Sequence, residues 1–157
     1  MLAGVLVIGV GNRYRRDDAA GLLAARRLRE AAGASVAVRE ESGEGTALMQ
    51  AWEGVEAVIL IDAVHSGAPP GTIFRLDARQ DPIPAGWFHW SSHAFGPAEA
   101  IALARTLGRL PPRLIVFGIE GKTFDAGDGL SPEAERAVED VVSRTLHELK
   151  TLGRAER

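Results

Sequence analysis

The sequence predicts an α/β fold: a three-layer sandwich whose mostly parallel, twisted sheet of about five strands carries one antiparallel strand and helices on both faces. Two observations lead there. Short, nearly continuous Val/Ile-rich runs at residues 5–10 (VLVIGV), 57–64 (AVILIDAV) and 114–119 (LIVFGI) have the pattern of strands buried on both faces. Segments with helical periodicity lie between them, so the order reads β-α-β-α-β-β-α-β-α. The 157 residues predict one domain, 1–157, large enough for a single core.

The first strand leads into a helix whose apolar stripe is Ala20, Leu23, Ala24, Leu28 and Ala31. Asp17 and Asp18 stand at its start, where carboxylates suit unpaired N–H groups, and Gly33 suits its end. Residues 35–41 (SVAVREE) alternate and fit a strand nearer the sheet edge. A short helix is expected from Thr46 to Trp52. Residues 72–77 (TIFRLD) follow the central run after too few residues for a crossover helix, so an antiparallel hairpin with that run is expected. Pro97 opens a further helix that Gly108 and Pro111-Pro112 close. Ser131 and Pro132 start the last helix, with Ala134, Val138, Val141, Val142 and Leu149 as its buried stripe and Gly153 as its expected end. Residues 78–96 form one long irregular stretch, a kind of segment that is often functional.

Composition excludes several function classes. There is no cysteine, hence no disulfide scaffold, thiol nucleophile or zinc finger, which fits a reducing, cytoplasmic setting. A net charge of −3 without a basic run argues against a dedicated nucleic-acid binder. No apolar run approaches membrane-span length, and the N-terminus lacks the basic region and cleavage site of a signal peptide. No G-x-S-x-G elbow precedes a helix, and no H-E-x-x-H occurs. Gly9 and Gly11 invite a dinucleotide reading, but Tyr14 stands where the third glycine belongs.

Ligands of open α/β sheets gather at the carboxyl ends of the strands. Asn12, Asp17 and Asp18 follow the first strand, Asp62 lies at the end of the central one, and Glu120 ends the last. An aspartate inside an apolar strand costs desolvation unless partners or a ligand meet it, so Asp62 is the most informative residue. Asp17 and Asp18 differ by about 100° on a helix; one can cap while the other faces the sheet edge. Of four histidines, His89 and His93 lie in the long loop, His65 just past Asp62 and His147 in the last helix. Carboxylates together with imidazole suit a borderline divalent metal such as nickel or zinc, able to polarise a carbonyl or activate water.

These residues resemble the endopeptidases that mature nickel–iron hydrogenases. The resemblance rests on Gly9-Val10-Gly11-Asn12 with Asp17-Asp18 and Gly21; on Ile61-Asp62-Ala63 followed by a turn ending in Gly71-Thr72; on Ser91-Ser92-His93; and on Gly118-Ile119-Glu120 with Gly129-Leu130-Ser131-Pro132. Residues 42–46 (SGEGT) depart from the family's glycine-glycine-threonine pattern. The resemblance implies a cytoplasmic protease of aspartyl type that removes a C-terminal extension from the hydrogenase large-subunit precursor. Nickel already in the precursor would be the recognition signal. It implies Asp18, Asp62 and His93 as metal contacts, with Asp18 and Asp62 also catalytic. Alternatives are a non-catalytic, nickel-dependent assembly chaperone and a Rossmann-like nucleotide-binding enzyme.

Overall fold

The computed structural model describes residues 4–88 and 93–155. The strands are β1 (Val5–Val10), β2 (Ala37–Glu41), β3 (Ala57–Val64), β4 (Ile73–Asp77) and β5 (Arg113–Glu120). They form one sheet in the order β2-β1-β3-β5-β4. The β1–β2, β1–β3 and β3–β5 pairs are parallel, and β4 runs antiparallel to β5. The predicted fold class is therefore observed.

Side-chain alternation divides the buried strands between two cores. Val5, Val7, Ile59, Ile61, Phe117 and Ile119 face α1 (Ala20–Ala32) and α4 (Pro132–Ala155). Leu6, Ile8, Val58, Leu60, Leu114 and Val116 face α2 (Gly45–Trp52) and α3 (Pro97–Thr106). Glycine allows the helix layer to approach closely. A Cβ on Gly21 would lie 2.3 Å from the carbonyl oxygens of both Ile61 and Val10, and one on Gly9 would lie 2.3 Å from the Gly21 oxygen. Gly9, within β1, and Gly21, within α1, are thus taken up by contact between helix and sheet.

Three expectations are corrected. The antiparallel strand β4 pairs with β5 and not with its predecessor β3, because β3 already has β1 and β5 along its two edges. β5, apolar and almost wholly buried, takes the interior position, while the half-exposed β4 takes the sheet edge, where Arg75 and Asp77 stay near water. The last helix does not end at Gly153 but continues to Ala155; a helix tolerates a glycine at a cost of about 1 kcal/mol. The short helix begins at Gly45, before Thr46, because Glu44 caps it by accepting from the N–H groups of Thr46 (2.9 Å) and Ala47 (2.8 Å).

Candidate active site

The chain leaves β1 toward β2 on one side and returns through α2 to β3 on the other. The β1/β3 boundary is therefore the point where strand order reverses and a crevice opens at the carboxyl ends. Asp62, near the end of β3, and Asp18, in the 3-10 turn Arg16–Ala19 after β1, line one pocket there. Asp62 is almost fully buried, and its Oδ1 accepts from the N–H of Ala63 at 2.8 Å. Burial raises its carboxyl well above the usual range, and the charge of Asp18 raises it further. Asp18 is also raised, by burial above all, with Arg15 and the Asn12 N–H pulling the other way. That N–H donates to Asp18 Oδ2 at 3.1 Å. Two electrostatically coupled carboxylates with elevated proton affinity are suited to taking a proton from water near neutral pH.

The neighbouring acid is used differently. Asp17 is fully buried and accepts from the Ser131 N–H (2.7 Å), the Ser131 hydroxyl (2.7 Å) and the N–H groups of Lys122 (2.7 Å) and Thr123 (3.3 Å). It ties the segment after β5 and the start of α4 to the turn after β1. Neither acid caps α1, whose N-cap is Ala19 with no side-chain bond.

His65, one residue beyond β3, lines the same pocket as Asp18 and Asp62. Its ring meets Phe124 edge-on at 5.6 Å, and its backbone N–H donates to the Trp87 carbonyl at 2.9 Å. Trp87 and Phe88, from the long segment before α3, complete an aromatic wall. Glu120, buried at the end of β5, accepts from the N–H of Ser66 (3.0 Å to Oε2) and from its hydroxyl, which fixes the loop next to His65. The sequence offered one signal for His65 that its exposed polar character obscured: it directly follows a strand at the binding edge of a parallel sheet.

His93 lines an adjoining groove with Tyr14, Glu40 and Glu41, not the pocket of the two aspartates. The two depressions share Gly11, Asn12 and Ser42. Glu44, held low chiefly by the Thr46 and Ala47 N–H groups, also feels the charge of His93. Among the described residues no three His, Asp or Glu side chains lie close enough together to hold a metal ion. His89, Ser91 and Ser92 fall outside the described residues. His147 is exposed on α4.

Among the described residues no helix is long and apolar enough to cross a membrane. The profile of the hydrogenase maturation protease family matches residues 24–148. The hydrogenase expression/formation protein HupD of Rhodobacter capsulatus is 31% identical over 95% of this chain and 72% of its own length. The hydrogenase 2 maturation protease of Escherichia coli is 28% identical over 95% of this chain and 92% of its own. An endopeptidase from Escherichia coli, solved in solution, superposes with a TM-score of 0.81 at 26% identity, covering 95% of this chain and 93% of that one. The [NiFe] hydrogenase maturation protease HybD from Thermococcus kodakarensis superposes with a TM-score of 0.68 at 27% identity, covering 91% and 97%. The chain is a peptidase and belongs to the hydrogenase maturation protease family.

Proposed function

We propose that the chain removes the C-terminal extension of a nickel–iron hydrogenase large-subunit precursor after nickel insertion. Asp18 and Asp62 are its working carboxylates, as in an aspartyl-type endopeptidase. The observation that carries this is the pair of carboxylates in one pocket at the strand-order reversal, Asp62 buried and Asp18 half-buried, with the charge of Asp18 raising Asp62, in a chain without a cysteine nucleophile. Nickel enters as part of the substrate. Two carboxylates supply hard oxygen donors, and His93, in the groove that adjoins the pocket, is the third contact.

Asp62 or Asp18 takes a proton from the attacking water as its oxygen bonds to the scissile carbonyl carbon. The elevated proton affinity of both groups suits this step, and the aromatic wall of Trp87, Phe88 and Phe124 limits competing water. Co-expression with the precursor, followed by mass spectrometry of the large subunit, tests the reading. The wild type should yield a shortened chain, and D62A or H93A an unshortened one. A precursor that is bound but never shortened would instead indicate an assembly chaperone, and one shortened equally by both variants would remove these residues from the reaction.

A further inference from the structure

We propose that His65 is the proton donor to the amine that departs when the peptide bond breaks. This rests on the peptidase reading of the pocket. His65 shares one cleft with Asp18 and Asp62, whereas His93 opens onto the adjoining groove beside Glu41. An attacking water and a departing amine need two groups with opposite proton tasks within one cleft. Asp18 and Asp62 line this cleft as carboxylates that can accept, and the imidazole of His65, lining the same cleft, is a group that can donate.

The position is also built. The backbone of His65 is tied to Trp87, its ring packs edge-on against Phe124, and the next residue is locked by buried Glu120. The residue is exposed, so solvent can replace the proton after each turnover.

The step balances. Water's oxygen bonds to the carbonyl carbon while an aspartate takes one of its protons. The carbon–nitrogen bond then breaks, and the nitrogen takes a proton from the His65 imidazolium. The products are a new carboxyl terminus and a free amine. The neutral imidazole recovers a proton from solvent, and the aspartate releases the proton it took to solvent, so no net proton is consumed.

The test is steady-state cleavage of nickel-loaded large-subunit precursor by wild type, H65A and H65Q, each confirmed folded by its melting temperature. His65→Gln can still form hydrogen bonds but cannot deliver a proton. Both variants should lose about 100-fold in kcat with KM changed less than about threefold, and free imidazole should restore part of the H65A rate. A kcat within about threefold of wild type in either variant, or a loss confined to KM, overturns the assignment. A wild-type protein that leaves the precursor whole removes the peptidase reading itself, and the proton-donor role with it.

Discussion

Asp17 accepts hydrogen bonds from both the N–H and the hydroxyl of Ser131, each at 2.7 Å, across 114 positions of sequence. The bond joins the turn after β1 to the start of α4 and thereby fixes the backbone that carries Asp18. In D17A, the N–H groups of Lys122 and Ser131 lose their acceptor inside the protein. The expected cost is about 3 kcal/mol, or a fall in melting temperature of about 10 °C. D18A, which removes a half-buried carboxylate with one backbone bond, should melt close to wild type while losing cleavage. Thermal melts of the two variants separate the roles of the adjacent acids.

Asp62 gives the protein a distinctive pH response. Its folded carboxyl holds a proton at a pH where the unfolded chain, near 3.8, has released it. Fewer protons are then bound in the unfolded state, so this group's contribution to stability falls as pH rises from about 4 toward the folded value, and stays low above it. Asp18 contributes in the same direction. D62N cannot ionise and should melt above the wild type at pH 7 to 8, with the advantage shrinking toward pH 4. Melting curves of metal-free wild type and D62N across that range check this; a constant difference would contradict it.

Gly21 supplies the close approach of α1 to β1 and β3, where an added Cβ would meet two carbonyl oxygens at 2.3 Å. G21A should lose about 3 kcal/mol by overpacking. G11A should act more locally, because its Cβ would lie 2.1 Å from the Asp18 carbonyl and displace that turn. Chemical denaturation and precursor cleavage, measured together, should show G21A chiefly unstable and G11A chiefly inactive.

Glu120 is buried at the end of β5, with its carboxylate accepting from the N–H of Ser66. E120A leaves the Ser66 N–H without its acceptor, at a cost of about 2 kcal/mol. Hydrogen exchange should show the Ser66 amide losing protection in E120A and keeping it in S66A. Equal exchange in the two variants would show that the carboxylate does not pin this loop.

Much of the fold was readable because burial on both faces writes itself into local sequence. The run at Ala57–Val64 reappears as β3 with the same limits, since an octapeptide apolar at every position but Asp62 has little alternative in a central parallel strand. The partner of β4 was not readable. Strand adjacency depends on which strand occupies the interior edge, a comparison between residues 73–77 and 113–120 that no local pattern contains. The same holds for Asp17 and Asp18: one i, i+1 step separates a buried staple from a pocket carboxylate, and only the distant Ser131 decides which is which. Asp62 was legible because a charge inside an apolar strand demands a reason. His65 was not, because an exposed histidine after a strand has many uses and its neighbours Phe124 and Trp87 come from remote segments.

Nickel-edge anomalous diffraction from crystals of the complex with nickel-loaded precursor tests the central claim most directly. The expected map shows the ion bonded to the carboxylates of Asp18 and Asp62 and to the imidazole of His93, with the scissile bond beside His65. An ion bound by the precursor alone, with both carboxylates out of bonding distance in a complex that is still cleaved, would contradict it.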